Sequence, residues 1–411
     1  VTDNLNLLNC YDSEIAKNII FSLGMVEAVS YWKCACPENV VIKCGYLSEN
    51  DILWWKKLWF NGLSEMFYQN KINTDIESFV NFSVDYKLTQ NESDLQFESA
   101  DLNIVPIGGG KDSVVTLEML QSLKSKTKGF TINDQLARTE CASVAGLGDE
   151  NIIKTYRTID QQLMKLNSQG FLNGHTPFSA IVAFLSLYCA YITGADNIIL
   201  SNEASANDAN IQGTNVNHQY SKSYEFENDF KKYTAEKFGL PIHYFSVLRP
   251  FNELQIAKQF AMLKDYHSVF KSCNVGSKEN IWCGHCAKCL FVYIILSPFI
   301  QTKELKDIFS VDMLDDKDLI DDFRALAGFS DVKPFECIGT VEEVCCALDL
   351  AIKKYESQAE ELPILLEYYI KNKKEEIDCN RIFSEFNDEN NIPKEFSEFV
   401  EEMYRYVSEC D

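Results

Sequence analysis

The chain has 411 residues, 46% apolar and 24% charged, the composition of a soluble globular protein with room for about two or three domains. Its 38 lysine and arginine residues are outnumbered by 61 aspartate and glutamate residues, and the net charge of −23 argues against a nucleic-acid partner. The acidic, polar start Val1–Asn6 is unlike a secretory signal, so we expect a cytoplasmic protein whose fifteen cysteines are reduced unless they bind metal.

Residues 1–98 predict an N-terminal α+β domain, which is a candidate for substrate recognition. Val40–Ile42 is a predicted strand, and Asp51–Gln69 carries apolar residues at the spacing of one amphipathic helix. The polar, acidic stretch 91–101 follows and indicates a domain boundary near residue 98.

Residues 99–301 alternate between strand and helix patterns, which predicts an α/β domain with a mostly parallel sheet. Helices are expected from Asp112, from about Phe178 and from about Asn252. The apolar run Pro177–Ile192 is too short and too polar for a membrane span, so a buried helix is expected. In such sheets ligands bind at the carboxyl ends of the strands. The predicted strands are Ile104–Ile107, Gly129–Asn133, Asn197–Ser201 and His243–Leu248.

Residues 302–411 are acidic and predict a helical C-terminal region that covers the core or forms an interface. Val341–Lys354 and Glu361–Asn372 have helical patterns, and Pro363 falls in a first turn, where proline is tolerated. No sequence motif in this region indicates chemistry.

The run Gly108-Gly109-Gly110-Lys111-Asp112-Ser113 lies between a predicted strand and a predicted helix. Glycines let backbone N–H groups approach an anion, the helix start is positive, and Lys111 adds a charge. Asp112 and Ser113 can cap the helix or hold magnesium. Neither a Walker loop nor a dinucleotide fingerprint fits. The run resembles the pyrophosphate loop Ser-Gly-Gly-x-Asp-Ser of N-type ATP pyrophosphatases, with Gly108 replacing the first serine. An ordinary glycine-rich turn is the alternative.

Two polar runs have the composition of ligand sites. Ser201-Asn202-Glu203 follows a predicted strand, and residues 215–227 interleave amide, imidazole, phenol and carboxylate groups, which suits recognition of a polar ligand. His175 precedes the expected N-cap Thr176, and a histidine at a helix start tends to stay neutral and can act as a base. A solvated loop and a structural histidine are the alternatives.

Cys273, Cys283, Cys286 and Cys289 form a C-x9-C-x2-C-x2-C array. Four thiolates at this spacing can surround one tetrahedral zinc ion and leave no open position, so the metal would be structural. Disulfides and free thiols are the alternatives, and the expected compartment disfavours the disulfides.

Several motifs in this order resemble the UDP-N-acetylmuramoyl-L-alanyl-L-glutamate epimerase family, most strongly over residues 103–300. The resemblance implies a pyrophosphate-loop fold. It also implies a reaction in which ATP adenylates the carboxylate of a terminal L-glutamate, which is inverted to D-glutamate with release of AMP and pyrophosphate. The motifs are Pro106–Ser113, Asn173-Gly174-His175, Ser201-Asn202-Glu203, Val216–Ser223, Phe245–Pro250 and Trp282–Cys289.

The resemblance, together with residue type, suggests roles for individual residues. Gly108–Ser113 would hold the ATP phosphates with Asn202 nearby, and Asp112 and Glu203 would bind magnesium. Arg249 and Lys222 would contact phosphate or the substrate carboxylates. The candidates for proton transfer are His175, His218, Glu225 and Glu227, with Lys222 also placed among the catalytic residues.

Two alternatives share parts of this pattern. One is a base-modifying enzyme related to the pyrophosphate-loop enzymes that make 7-cyano-7-deazaguanine, which share the glycine loop and the late cysteine array. The other is a non-catalytic regulator that binds zinc and a nucleotide. The net charge of −23 opposes an RNA substrate, and the dense polar run 215–227 disfavours a regulator.

Overall fold

A computed structural model describes residues 13–86, 97–211, 213–214, 216–373 and 375–409. The acidic start, most of the predicted boundary stretch and Asn215 lie outside these residues. The strands are β1 Asn39–Ile42, β2 Asn81–Val84, β3 Leu102–Pro106, β4 Thr127–Ile132, β5 Ile152–Thr155, β6 Ala195–Leu200 and β7 His243–Ser246. The α-helices are α1 Glu14–Trp32, α2 Glu49–Gly62, α3 Ser64–Gln69, α4 Lys111–Met119, α5 Leu136–Val144, α6 Gln161–Ser168, α7 Phe178–Thr193, α8 Tyr224–Phe238, α9 Glu253–Ala261, α10 Ala287–Leu296, α11 Thr302–Phe309, α12 Ile320–Leu326, α13 Val341–Ser357, α14 Ile364–Asn372, α15 Cys379–Ser384 and α16 Ser397–Val407.

The central sheet is parallel, with strand order β5-β4-β3-β6-β7. The predicted α/β class is therefore confirmed, as are four predicted strands with slightly different ends. The short edge strand β5 was not predicted. A second, two-stranded sheet pairs the predicted β1 with the unpredicted β2, also in parallel.

Alternate residues of each central strand point to opposite faces of the sheet, as the period of a β-strand requires. Ile104 and Ile198 join a hydrophobic cluster on one face, whereas Val105 and Ile199 join a cluster on the other. Residues of α1, α2, α7 and α8 belong to the first cluster. Those of α4, α9, α10 and the C-terminal helices belong to the second. The N-terminal and C-terminal parts of the chain thus cover different faces.

Helix α7 confirms the buried helix predicted from the apolar run, and Gly194 ends it in the left-handed conformation, with φ of +72°. Its N-cap is Pro177 rather than the expected Thr176, and no side chain caps it. The single helix predicted over Asp51–Gln69 is two helices, α2 and α3, which are separated at Leu63.

The C-terminal region is helical, as predicted, and Pro363 is the N-cap of α14. Cys346 and Cys379 form a disulfide, with Cα atoms 5.5 Å apart, so the expectation that every cysteine outside the metal array is reduced was wrong for this pair. Among the described helices, none combines the length and apolar character needed to cross a bilayer. The domain boundaries near residues 98 and 301 stay predictions.

Candidate active site

The glycine loop joins the end of β3 to the start of α4, and its three glycines have different surroundings. Gly109 has φ of +83°, and a Cβ atom there would lie 3.0 Å from Ala137 Cβ. Gly110 is the N-cap of α4, where a Cβ would lie 3.1 Å from Ser272 Cβ. A Cβ on Gly108 would meet nothing within 4 Å. Glycine is therefore required at position 109 but not at position 108.

This difference predicts opposite outcomes for two substitutions. Gly108→Ser adds the hydroxyl found in the pyrophosphate loop that this run resembles. If the loop binds ATP, as the resemblance implies, we expect this substitution to change the KM for ATP by no more than about twofold. Gly109→Ala forces a side chain into a left-handed position and against Ala137, which costs about 1–2 kcal/mol. The KM for ATP should then rise about tenfold, as measured by release of pyrophosphate. Equal effects of the two substitutions would contradict this reading of the loop.

Three carboxylates lie at the loop. Asp112, Glu203 and Glu253 each place an oxygen within 4.8 Å of the others. Glu203 and Glu253 are each 1% exposed, and Glu203 Oε2 has no hydrogen-bond partner among the described residues. Burial, with Asp112 and Glu203 nearby, raises the pKa of Glu253 to about 8, although Lys111 opposes the shift. Such a set of buried oxygens fits a divalent cation that prefers oxygen ligands.

Lys111 and Glu343 hold this carboxylate group in place. The Lys111 ammonium contacts both Asp112 and Glu253; Lys111 and Glu253 are buried, whereas the Asp112 side chain is 28% exposed. Glu343 Oε1 accepts hydrogen bonds from the Glu253 backbone N–H at 2.6 Å and from Ser205 Oγ at 3.1 Å. The C-terminal helix α13 thereby orients a residue at the start of α9.

A cavity of about 380 Å³ adjoins the loop at the carboxyl ends of the central strands. It brings residues of the glycine loop together with residues from many later segments of the chain. Its polar lining includes Gly108, Asp112, Asn202, Lys222, Lys288 and Cys337. Burial alone would lower the pKa of Lys222, but the nearby Cys337, Glu203 and Asp112 raise it, so Lys222 is a cation in the cavity wall.

The two predicted histidines, His175 and His218, lie together, with ring centres 4.0 Å apart. His218 Nδ1 is 2.5 Å from Glu65 Oε2. Burial, His218 and Lys33 lower the pKa of His175 to about 3, so His175 is neutral. Burial also disfavours the charge of His218, but hydrogen bonds with Cys337 and Glu65 raise its pKa to about 9. His218 is therefore an imidazolium at neutral pH, not the neutral base expected from its residue type.

The structure separates three predicted site residues from the cavity. Arg249 and Glu227 are 0% and 1% exposed and pair with each other at 3.0 Å. Arg249 also donates to the backbone carbonyls of Glu203 and Lys222, at 2.8 and 2.7 Å. Glu225 is 56% exposed and pairs with Lys57 at 2.6 Å. Arg249 and Glu227 thus position the loops that carry Glu203 and Lys222.

The four cysteines of the array place their sulphur atoms within 4.8 Å of one another. Cys273 and Cys286 sulphurs are 4.0 Å apart, and those of Cys283 and Cys289 are 3.7 Å apart. Tetrahedral zinc with Zn–S bonds of about 2.3 Å requires sulphur separations of about 3.8 Å. Gly284, with φ of +72°, makes the turn between the second and third cysteines. The structure therefore contains a four-cysteine site of suitable geometry for a metal.

The cysteine segment also packs against the glycine loop. The Lys271 backbone N–H donates to the Gly109 carbonyl at 2.8 Å, and Cys273 and Lys288 both line the cavity. A metal in the array would thus fix one wall of the cavity.

Sequence reasoning missed five residues of this site: Glu65, Glu253, Lys288, Cys337 and Glu343. Glu253 directly follows the expected helix start Asn252, at the carboxyl end of a predicted strand, so its position was a usable signal. Lys288 lies within the cysteine motif, which was interpreted only as a metal site, and Glu65, Cys337 and Glu343 lie in segments with no motif of their own.

Comparison with known proteins identifies the family. The profile described as MurL N-terminal domain matches residues 7–247, and that described as MurL C-terminal domain matches residues 268–381. Curated proteins named UDP-N-acetyl-alpha-D-muramoyl-L-alanyl-L-glutamate epimerase are similar to this chain. The protein from Xanthomonas oryzae pv. oryzae is 34% identical over 81% of this chain and 74% of its own length. Those from a Micromonospora species and Salinispora tropica are 35% and 33% identical over 80% of this chain and 73% and 72% of their own lengths. The chain belongs to the family of UDP-N-acetylmuramoyl-L-alanyl-L-glutamate epimerases.

Proposed function

We propose that this protein is an ATP-dependent epimerase of the terminal glutamate of UDP-N-acetylmuramoyl-L-alanyl-L-glutamate. ATP converts the glutamate α-carboxylate to an acyl-adenylate and releases pyrophosphate. The α-carbon is then inverted, and water releases AMP and the D-glutamate product. Membership of the epimerase family supports the substrate, and a cytoplasmic location fits a substrate built on a nucleotide.

Adenylation has a clear chemical purpose in this reaction. Removing the α-proton beside a free carboxylate would concentrate two negative charges on neighbouring atoms. Adenylation neutralises the carboxylate, so that removing the proton yields an enolate with a single charge, which cationic groups can stabilise. The two epimers have similar free energies, so ATP provides activation and direction.

The single observation that carries the proposal is the cavity beside the glycine loop. It combines backbone N–H groups at a helix start, a carboxylate of the buried acidic group and the cationic Lys222. Gly108–Ser113 would bind the ATP phosphates, as in a pyrophosphate-loop fold, and Asn202 would line the nucleotide. Lys222 would pair with a phosphate or with the substrate carboxylate.

Asp112, Glu203 and Glu253 would hold a magnesium ion, and the unpaired oxygen of Glu203 supports this assignment. Bound there, magnesium would neutralise charge on the ATP phosphates. Lys111 neutralises part of the charge of the same acidic group.

We assign the proton-transfer machinery to the group Glu65, His175 and His218. The imidazolium of His218 can donate a proton and the neutral His175 can accept one. Neither histidine lines the cavity itself. They would therefore act through a group that does. The four cysteines would bind a structural zinc ion that shapes the opposite wall of the cavity.

The proposal predicts a specific isotope pattern. When the protein acts on UDP-N-acetylmuramoyl-L-alanyl-L-glutamate with ATP in deuterated water, each product molecule should carry one deuterium at the glutamate α-carbon. The terminal residue should become D-glutamate, and one AMP and one pyrophosphate should form per inversion. Mass spectrometry and chiral analysis of the hydrolysed product measure all of these quantities.

Parallel reactions define what the protein acts on. Free L-alanyl-L-glutamate tests whether the nucleotide-sugar is required, and UDP-N-acetylmuramoyl-L-alanine tests whether the glutamate is. AMP formation with the α-proton and configuration retained would indicate an adenylating ligase and refute the epimerase assignment.

A further inference from the structure

Cys337 lies in the wall of the cavity and takes no part in the steps proposed so far. It lies between α12 and α13, in the C-terminal region that carries no motif, and it is half-buried. It lines the cavity together with Lys222, and its thiol is close enough to His218 and Lys222 to raise the pKa of both. It is thus the link between the cavity and the histidines behind it.

The segment that carries Cys337 is fastened on both sides. Val332 pairs with Ile211 in an isolated antiparallel bridge, and Asn210 Nδ2 donates to the Pro334 carbonyl at 2.9 Å. On the far side, Gln219 Nε2 donates to the Ile338 carbonyl at 3.2 Å.

Two further contacts complete this attachment. The Lys288 ammonium binds the Cys337 carbonyl, and Asn210 Oδ1 accepts from the His218 backbone N–H at 2.8 Å. Asn210 therefore bonds both to the segment that carries Cys337 and to His218, which fixes the position of the thiol relative to the imidazole.

Glu65, His218 and Cys337 form a series of side chains with alternating charge, and the series ends in the cavity. The Glu65 carboxylate orients and charges the imidazole, and the imidazolium donates to sulphur. Burial alone would raise the pKa of Cys337, but Lys222 and the bond from His218 lower it to about 6. Cys337 is therefore a thiolate at neutral pH, which makes it a base where an ordinary cysteine is a neutral thiol.

We propose that Cys337 is a catalytic residue of the epimerase, the base that removes the α-proton from the adenylated L-glutamate. This inference rests on the proposed epimerase function and adds the group that touches the reacting carbon. His218 and Glu65 are positioning residues that act through Cys337.

The proton transfer is balanced without any further reactant. The α C–H bond breaks, an S–H bond forms on Cys337, and the electron pair moves onto the acyl oxygen as an enolate. A solvent-derived proton then reaches the opposite face of the α-carbon, and the electron pair returns to form the new C–H bond. The Cys337 thiol finally releases its proton to solvent past His218, which restores the thiolate.

The test compares Cys337→Ser with wild-type protein and with Cys44→Ser, a control at an exposed cysteine. With the UDP-linked dipeptide and ATP in deuterated water, Cys337→Ser should lose at least about 100-fold in α-deuterium incorporation. Pyrophosphate formed in a single turnover should stay within about threefold of wild type. Cys337→Ala, which leaves no polar group, should behave in the same way.

A second readout does not depend on turnover. Iodoacetamide should alkylate Cys337 of the wild-type protein with a rate that reaches half its maximum near pH 6, and bound substrate should protect it. His218→Asn should move that midpoint up towards the ordinary cysteine value of about 8.5. A merely structural cysteine would show neither the low midpoint nor its dependence on His218.

The outcomes separate this inference from the proposed function. Wild-type protein that forms neither D-glutamate nor α-deuterium refutes the epimerase function itself. If the wild-type protein inverts the glutamate and Cys337→Ser still incorporates α-deuterium fully, only the role of Cys337 is overturned. Loss of single-turnover pyrophosphate in the variant, or a dipeptidyl thioester on Cys337 in quenched wild-type protein, also overturns it, since either shows a role other than a base.

Discussion

Asp112→Asn should reduce the formation of AMP and pyrophosphate by at least about 100-fold while leaving the protein folded. Asp112 lies in the first turn of α4, contacts Lys111 and shares the buried acidic group with Glu203 and Glu253. The amide keeps the size of the side chain but removes the charge that would hold magnesium at the phosphates. Charge stabilisation at such a site amounts to several kcal/mol, and about 1.4 kcal/mol corresponds to tenfold in rate.

Asp149→Asn is the matched control, because the Asp149 side chain is 82% exposed and pairs, among the described residues, with Lys154 at 3.0 Å. We expect it to keep wild-type activity. Asp112→Asn should still unfold cooperatively, with a modestly lower midpoint, because a carboxylate near a helix start typically contributes about 0.3–1 kcal/mol and Lys111 keeps its contact with Glu253. Wild-type rates of AMP formation in Asp112→Asn would disprove the assignment of the loop to ATP.

Cys286→Ser should remove the metal and lower the melting temperature by on the order of 5–10 °C. Cys286 also accepts a hydrogen bond from the Cys289 backbone N–H and caps α10, a helix whose residues are almost all buried. Purified wild-type protein should contain about one zinc per chain. Because the cysteine segment binds the Gly109 carbonyl through Lys271, loss of zinc should also raise the KM for ATP.

Two measurements decide this prediction: elemental analysis and thermal unfolding. Both are made on Cys286→Ser, on chelator-treated wild type and on Cys44→Ser. Cys44 is exposed and should be replaceable without effect. Folded, active wild-type protein with far less than one zinc per chain would show that the four thiols are free.

The sequence predicted those parts of the site that are contiguous in the chain. The glycine loop and the cysteine array each combine several residue types at fixed spacing, so local geometry alone implies their chemistry. Asn202 and Glu203 were found because they follow a recognisable strand. The central sheet was found by the same reasoning, apart from the edge strand β5.

The rest of the site depends on contacts between distant segments. Lys111 and Glu253 are 142 residues apart in the chain, and Glu65 and His218 are 153 apart. Cys337 comes from a region without a motif. The charge of His218 was also beyond prediction, because neutral imidazole is the default and only Glu65 and Cys337 reverse it. Arg249 and Glu227 have the residue types of a binding site. Both are buried and pair with each other, so they position the neighbouring loops instead.

The series Glu65, His218 and Cys337 has a consequence for how the protein folds. Its three members come from the beginning, the middle and the last quarter of the chain, and they meet only when the layers on both faces of the sheet are in place. The glycine loop, by contrast, joins two consecutive elements, β3 and α4, although later segments also pack against it. If Cys337 acts as proposed, inversion of the stereocentre therefore requires the complete fold, because its activating partners come from other parts of the chain.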